Sequence, residues 1–368
     1  MSKWKTVRLG DVCEKGSSNI AQNEITENNG EYPIFGAAGF IKNIDFYKYD
    51  KPYIGIVKDG AGIGRVSVHP AKSSLIGTMQ YIFPKENIDI NFLAEFLKYQ
   101  DLSRFHTGAT IPHIYFKDYQ NISMKLPPLK TQKQIASTLD KCTSVIEKYK
   151  KMLEKYDTLI KSRFIEMFGD PSKNTKKWEI KKLGSIIRVL GGYAFSSKSF
   201  KALGIPVLRI GNINSGIFRP SNMVFWDDDE KIERYAIYPG DLVMSLTGTV
   251  GKDDYGNVCI LSNDYPKYYL NQRNAKLEII SGLERFYLSY LLRVPEIKSR
   301  LTNISRGIRQ ANIANKDIEN LQIPVPPLEL QNTFASFVQQ IDKSKFVVQK
   351  SLEKAETLYK SLMQEYFE

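Results

Sequence analysis

Apolar residues recur with alternating steps of four and three along two runs that contain neither glycine nor proline, residues 130–168 and 329–368. This heptad spacing is typical of long helices that pair in a coiled coil. Gly169, followed by Pro171, predicts the end of the first helix. Arg163 and Lys345 interrupt the two apolar series. The seam residues are Ile135, Leu139, Cys142, Ile146, Tyr149, Leu153, Tyr156 and Ile160 in the first run, and Phe334, Val338, Ile341, Val348, Leu352, Ala355, Tyr359, Leu362 and Tyr366 in the second.

Outside these runs, short apolar segments alternate with glycine-containing turns, a pattern that predicts strands. Two amphipathic segments, residues 91–100 and 285–294, predict shorter helices. The combination favours an α+β fold. The predicted strand segments are YPIFGAAGFI (32–41), KPYIGIVKD (51–59), GRVSVHP (64–70), GIPVLRIGNI (204–213), GDLVMSLTGTVG (240–251) and GNVCIL (256–261).

The chain contains an internal repeat. PPLKTQKQIAS (127–137) recurs as PPLELQNTFAS (326–336), and LEKYDTLIKSRFIEMF (153–168) recurs as LEKAETLYKSLMQEYF (352–367). The repeat is too long for a solenoid and predicts a duplicated domain pair. We expect two tandem β-rich domains, each followed by a long helix. The predicted boundaries are 1–128 and 169–327 for the domains, and 129–168 and 328–368 for the helices.

The two predicted helices are too long to bury their apolar stripes against one small domain. Two equivalent halves of one chain tend to pair about a pseudo-two-fold axis, which would make the helices antiparallel. An antiparallel coiled coil within the chain is therefore expected. The alternatives are that each helix packs on its own domain, or that it dimerises with another chain.

The chain is basic, with 52 Lys and Arg against 40 Asp and Glu, a net charge of +12 and a pI near 9.3. Both halves share the excess, so it is not a basic tail. A balance of this kind favours a polyanionic partner, with nucleic acid the first candidate.

Several functional classes are excluded by what the sequence lacks. Three distant cysteines and three histidines give no disulfide framework and no metal-binding spacing, so no metal site is expected. No apolar run is long enough to span a membrane, and the charged start has no apolar leader, which favours the reduced cytoplasm. Dinucleotide-binding, P-loop, adenine-methyltransferase and hydrolase-triad motifs are missing. The expected protein is a binder without catalytic residues.

Four loops carry residues suited to nucleic acid. GAGIGR (60–65) and TGTVGK (247–252) each end in a cation, and their glycines allow a close backbone approach to a phosphate or a base edge. GATIPH (108–113) and RGIRQAN (306–312) precede the two Pro-Pro pairs and offer side chains that pair with base edges. For each loop the alternative is a hairpin turn with a solvated charge.

The ordered set of these phrases resembles the specificity subunit of type I restriction–modification systems over essentially the whole chain. YPIFGAAGFI with YIGIVKDGAGIGRV (53–66) resembles one variety of that family's target-recognition domain, and GIPVLRIGNI with GDLVMSLTGTVGK (240–252) resembles another. The two Pro-Pro-Leu segments resemble the start of its two conserved helices, where Glu-Gln commonly follows. Here Gln132 and Gln331 keep the Gln, whereas Thr131 and Leu330 replace the Glu.

The resemblance implies a division of labour among subunits. Each target-recognition domain would read one half of a bipartite, asymmetric sequence in double-stranded DNA, while the helices set the gap and dock two methylation subunits. Gln132 and Gln331 would belong to this partner contact. S-adenosylmethionine, ATP and magnesium would bind only to the methylation and restriction subunits, so this chain would hold no cofactor and do no chemistry.

The candidate DNA contacts are chosen from the four loops and from the residues that flank them. Lys58 and Lys252 suit phosphate, whereas Arg309 and Gln310 suit the edges of guanine and adenine respectively. The full set is Lys58, Arg65, His113 and Lys117 in the first domain, and Thr249, Lys252, Arg309, Gln310 and Asn312 in the second.

Three other functions remain open from the sequence. The coiled coil could make the chain an interaction scaffold, whose DNA binding would lack a steep salt dependence. The chain could be a small nuclease or methyltransferase in its own right. It could also be the recognition subunit of a type IIB-like restriction enzyme built on the same plan.

Overall fold

The computed structural model describes residues 4–108, 112–213, 216–303 and 310–368, with Gln310 described by its backbone alone. The chain forms two compact units. Unit 1 comprises Met1–Lys151 and Val348–Glu368, and unit 2 comprises Met152–Val347. Both combine sheets with helices, which confirms the α+β prediction. Among the described residues, no helix is long and apolar enough to cross a membrane.

In the first half, four of the strands and the two longest helices lie in the predicted segments, and the other elements were not predicted. The strands are β1 (Lys5–Arg8), β2 (Cys13–Ser17), β3 (Tyr32–Gly36), β4 (Gly39–Ile44), β5 (Tyr53–Val57), β6 (Val66–His69), β7 (Ser74–Leu75), β8 (Met79–Pro84) and β9 (Ser123–Leu126). The helices are α1 (Leu9–Val12), α2 (Ile90–Tyr99), α3 (Phe116–Tyr119) and α4 (Leu129–Phe168).

The second half repeats this plan with different lengths. Its strands are β10 (Glu179–Lys182), β11 (Ile187–Gly191), β12 (Ile205–Leu208), β13 (Val224–Trp226), β14 (Ala236–Ile237), β15 (Leu242–Ser245), β16 (Thr247–Thr249), β17 (Val258–Ile260), β18 (Tyr268–Leu270), β19 (Asn274–Ile279), β20 (Gln310–Asn312) and β21 (Gln322–Val325). Its helices are α5 (Arg285–Arg293), α6 (Pro295–Thr302), α7 (Asn315–Asn320) and α8 (Leu328–Phe367).

Unit 1 is built on an antiparallel sheet in the order β2-β8-β5-β6, against which α2 packs. A second sheet has the order β4-β3-β7, and β1 pairs with β9. Strand β5 is buried throughout, as its unbroken apolar sequence YIGIV requires. The main core includes Leu9, Ile54, Ile82, Phe92, Phe96, Leu139 and Phe367.

Unit 2 contains two four-stranded sheets, β11-β19-β15-β17 and β13-β12-β18-β14. Two short ladders complete it, β10 with β21 and β16 with β20. The apolar faces of α5 and α6 join the larger core, which includes Phe164, Phe168, Met244, Leu277, Tyr287, Leu291, Ile297 and Phe334.

Each unit contains one segment of α4 and one segment of α8. In unit 1, Lys150 forms an ion pair of 3.1 Å with Glu356, and the earlier α4 residue Leu139 shares a core with Phe367. The residue numbers rise along one helix as they fall along the other, so the segments are antiparallel, as predicted.

The same arrangement holds within unit 2. Lys345 Nζ lies 2.7 Å from Asp157 Oδ1, whereas the later α4 residue Phe164 packs on the earlier α8 residue Phe334 at 5.4 Å between ring centroids. The lysine that interrupts the apolar series therefore has a partner on the facing helix. Arg163, the other interruption, places its guanidinium 5.9 Å from the ring of Phe337.

The C-terminal end of α8 is fastened to unit 1. Tyr359 donates a hydrogen bond of 2.6 Å to the largely buried carboxylate of Glu95 on α2. The ring of Phe367 packs against Phe92 and Phe96 at centroid distances of 5.4 and 5.7 Å. The last residues of the chain thus complete the core of the first unit.

Candidate nucleic-acid interface

In unit 1, the loop after β5 and the segment before α3 meet on the surface. Ile114 donates its backbone N–H to the carbonyl of Lys58 at 2.9 Å, and Gly60 donates to the carbonyl of Pro112 at 3.1 Å. The loop turns through Gly64, whose φ of +79° favours glycine. A Cβ there would lie 2.6 Å from the backbone nitrogen of Ser103, so the close approach also requires glycine.

This contact assembles a row of side chains that includes two predicted from the sequence, His113 and Lys117. His113 Nδ1 lies 2.6 Å from Asp59 Oδ1, and the imidazole stacks on Tyr115 with ring centroids 6.4 Å apart. On the same tyrosine, Lys117 Nζ lies 5.4 Å from the ring centroid. The row presents an imidazole, an exposed aromatic ring and an ammonium group, which together can bind a base edge, a sugar or a phosphate.

The other two cations of unit 1 already have intramolecular contacts. Lys58 Nζ lies 3.8 Å from Asp59 Oδ2, with both side chains 26% exposed. Arg65 donates from Nη1 to the carbonyl of Ala37 at 2.8 Å, which ties the exposed loop to the turn between β3 and β4. Both cations remain accessible, and a phosphate would compete with Asp59 for Lys58.

In unit 2, the two predicted loops form one ladder. Strands β16 and β20 pair antiparallel, with Thr247 opposite Asn312, Gly248 opposite Ala311 and Thr249 opposite Gln310. The sequence indicated each loop separately but gave no sign that they pair, because each strand has only three residues.

Asp254 fixes the end of this ladder. The backbone N–H of Thr249 donates to Asp254 Oδ1 at 2.8 Å, and the threonine hydroxyl donates to Oδ2 at 2.9 Å. These hydrogen bonds, with the nearby charge of Lys252, hold the pKa of the Asp254 carboxyl below its usual range. Thr249 therefore positions the turn, whereas Lys252 is exposed beside it.

The ladder exposes Asn312, whose Oδ1 accepts a hydrogen bond of 2.7 Å from the hydroxyl of Thr247. Its amide nitrogen has no partner among the residues the structure describes and is available to a base edge. Arg309, the expected reader of guanine, lies outside the described residues. The side chain of Gln310 is likewise not described, so the proposed roles of both stay predictions.

The two units use equivalent backbone positions for this surface. Ile313 donates to the carbonyl of Leu246 at 2.9 Å, just as Ile114 donates to that of Lys58. In unit 1, Asp59, which follows Lys58, contacts His113, which precedes Ile114. In unit 2, Thr247, which follows Leu246, contacts Asn312, which precedes Ile313. Sequence reasoning missed Asp59, Tyr115 and Thr247, although the matched Ile-x-x-Lys-Asp segments could have aligned the pairs.

The two glutamines assigned to partner contact have an internal role instead. Gln132 and Gln331 are both 0% exposed. The Oε1 atom of Gln132 accepts from the backbone of Asp89 at 2.7 Å, and its Nε2 donates to the carbonyls of Asn87 and Pro127. The side chain of Gln132 has no exposed surface, and its amide groups already have partners within unit 1. It therefore cannot contact a partner subunit.

Gln331 makes the same contacts in unit 2. It accepts from the backbone of Glu284 at 2.8 Å and donates to the carbonyls of Gly282 and Pro326. Asp89 and Glu284 are the N-caps of α2 and α5. Each glutamine therefore locks the start of a short helix onto a long one, a role that a repeated residue on a helix does not reveal by itself.

Among the residues the structure describes, no group of three or more His, Cys, Asp or Glu side chains is placed to hold a metal ion. Cys13 and Cys259 are buried, and burial raises the pKa of each thiol to about 12. Burial also lowers the pKa of His69 to about 4, so this imidazole is neutral. These groups belong to the cores of the two units and not to the surface described above.

Comparisons with known proteins agree with this architecture. The family model of the type I restriction modification DNA specificity domain matches residues 1–155 and 175–356. The type I restriction enzyme MjaVIII specificity subunit of Methanocaldococcus jannaschii is 27% identical, over 98% of this chain and 91% of the relative. The EcoKI specificity subunit of Escherichia coli is 25% identical, over 70% of this chain and 60% of the relative.

The fold is also found in a solved structure. The crystal structure of a type I restriction–modification S subunit from M. genitalium has a TM-score of 0.67 and 16% identity, covering 99% of this chain and 96% of that one. The fold is thus that of a type I specificity subunit. With both halves matched by the family model, the chain belongs to the type I restriction modification DNA specificity family.

Proposed function

We propose that the chain is the DNA-recognition subunit of a type I restriction–modification complex, and that it reads a bipartite, asymmetric target. The family match over both halves supports this proposal. The observation that carries it is the equivalent loop contact in each unit, built on the same backbone positions but with different side chains. Asp59 and His113 occupy it in unit 1, and Thr247 and Asn312 occupy it in unit 2.

Different side chains at equivalent positions imply different half-sites. An imidazole beside an aromatic ring and an ammonium group presents other donors and acceptors than an asparagine amide beside a threonine. The recognised sequence should therefore not be palindromic. The net charge of +12 supports binding to the phosphates around both half-sites.

The long helices are the proposed docking surface for two methylation subunits and the spacer between the half-sites. The buried Gln132 and Gln331 are excluded from direct contact, so the docking surface must use exposed positions of α4 and α8. The methylation and restriction subunits would bring S-adenosylmethionine, ATP and magnesium, and the complex would act in the cytoplasm. The domain boundaries at 128, 168 and 327 are part of this proposal.

Mapping of methyladenine in host DNA by single-molecule sequencing tests the function. A strain with the chain should carry a split, asymmetric motif, and a strain from which the chain is deleted should lose that motif alone. Reintroduction of the same sequence should restore it. A motif that persists after the deletion, or one that is continuous and palindromic, would contradict the proposal.

A further inference from the structure

Unit 2 contains a cleft of about 560 Å³ that the loop contacts above do not use. Two arginines, four amide side chains and two phenyl rings contribute to its walls. Among them are Arg209, Arg273, Asn222, Gln272, Phe195 and Phe200. The cleft thus combines guanidinium and amide donors with flat apolar surfaces, which are the groups that bind nucleobases.

Arg209 lies inside the cleft and is held in place. Its Nη2 donates to the carbonyl of Asn222 at 2.6 Å, and Asn222 has a left-handed backbone with φ of +53°. The Nε of Arg209 is buried without a hydrogen-bond partner among the described residues. A buried donor with no acceptor is costly, and an acceptor supplied by a ligand would remove that cost.

Arg273 lies at the exposed rim of the cleft. Within the part of the chain that the structure describes, its guanidinium has no hydrogen bond and no ion pair. Its backbone carbonyl accepts from Leu246 at 2.8 Å, and the carbonyl of Leu246 accepts from Ile313 at 2.9 Å. The rim is therefore joined through the backbone to β16 and β20, so the cleft borders the candidate interface.

The chain around the cleft is strongly basic. Residues 180–226 contain no Asp or Glu and seven Lys or Arg. Asp227, Glu278 and Glu179 each pair with one of these cations, Lys201, Arg188 and Lys181 respectively. The remaining excess attracts a polyanion towards the cleft.

We propose that this cleft is a base-reading subsite for the half-site read by unit 2, with Arg273 donating two hydrogen bonds to the O6 and N7 atoms of a guanine. Arg209 holds the inner wall and offers its Nε to the same nucleotide. The subsite rests on the proposed function, since it requires that the chain reads DNA. It adds residues outside the four loops to the specificity determinants.

The experiment compares methyladenine motifs in strains whose only specificity subunit is the wild-type chain, Arg273→Gln, Arg273→Lys or Arg188→Gln. Lysine keeps the charge of Arg273 but not its forked donors. Arg188→Gln is the matched control, since it removes the same charge from a side chain of unit 2 that is 65% exposed and does not line the cleft.

Both Arg273 variants should accept other bases in place of a guanine in one half-site, with discrimination at that position reduced by about 5- to 150-fold. The other half-site and the Arg188→Gln motif should be unchanged. Arg273 variants that keep the parental motif, or that lower methylation at every site alike, would overturn the subsite but leave the proposed function standing. A wild-type strain without a split motif would instead overturn the function and the subsite together.

Discussion

His113 and Asp59 are 54 residues apart in sequence, and their side chains meet at 2.6 Å between Nδ1 and Oδ1 on the surface of unit 1. The carboxylate orients the imidazole, whose Nε2 has no hydrogen-bond partner among the described residues and can face a ligand. Tyr115, stacked on the same ring, limits its rotation further. The pair thus holds the predicted contact His113 in one orientation, through a carboxylate that the sequence did not indicate.

Replacement of His113 by alanine should relax recognition in one half-site only. Loss of an oriented base contact should cost about 1–3 kcal/mol of discrimination at one position. Methyladenine mapping of a His113→Ala strain would show the change. His106→Ala is the control, because His106 is exposed in the same unit and its ring bonds the carbonyl of Ser103. Equal relaxation in the two variants, or relaxation of both half-sites, would contradict the assignment.

Gln132→Ala should destabilise unit 1. The substitution leaves the partly buried N–H of Asp89 and carbonyl of Asn87 without their partner, as well as the buried carbonyl of Pro127. A buried group left unpaired costs about 1–3 kcal/mol. Urea unfolding should show a lower midpoint than in the wild type. Gln134→Ala, two residues along α4 but exposed, should stay within about 0.5 kcal/mol of the wild type. Equal stability of the two variants would show that the amide contributes little.

The stability of unit 1 should fall as the pH drops below 6.5. Burial lowers the pKa of His69 from 6.5 to about 4, so between these values the unfolded chain binds a proton that the folded chain does not. The free energy of unfolding therefore has its full value above pH 6.5, where His69 is neutral in both states. It decreases as the pH falls towards 4, because only the unfolded chain then binds the proton. At pH 5 the loss should amount to about 2 kcal/mol.

Urea unfolding at pH 7.5 and pH 5 measures this loss. The His69→Phe variant keeps an aromatic ring beside Phe35 and Tyr53 but has no proton to bind, so its stability should depend less on pH. If the stability of His69→Phe depended on pH as strongly as that of the wild type, His69 would be excluded as the source of the pH dependence.

Matched insertions of one heptad in both long helices should lengthen the gap between the half-sites. The chain divides between units after Lys151 and after Val347, so insertions at these two points leave the internal contacts of each unit intact. Seven helical residues add roughly 10 Å, the length of roughly three base pairs. Methyladenine mapping should show the same half-site bases with a longer gap. A parental gap in the double insertion would refute the spacer role of the helices.

The long helices were predictable because local information specifies them. Absence of Gly and Pro, together with the heptad spacing, gave both α4 and α8 to within a residue at most ends, and Gly169 ends α4 with a φ of +75° as predicted. The antiparallel pairing followed from the internal repeat. The strands were found where apolar runs are long, as in β5 and β15.

The site was less predictable because it depends on contacts distant in sequence. The β16–β20 ladder joins residues more than sixty positions apart through three pairs, and no local pattern signals such a contact. The burial of Gln132 was equally difficult to predict from the sequence. Gln132 stands on a helix that is mostly exposed and polar, and only the position of α2 shows that it faces inwards. The sequence therefore does not distinguish this internal role from the partner contact that the resemblance implies for Gln132 and Gln331.

The attachment of the last helical turns to unit 1 has a consequence for biosynthesis. When Lys151 leaves the ribosome, Met363 and Phe367 have not yet been made, although both belong to the same core as Phe92 and Leu139. The intervening residues 152–347 take on the order of 10–40 s to translate. During this delay the core of the N-terminal half is incomplete, so a premature stop codon just before position 363 would destabilise the part of the protein that was translated first.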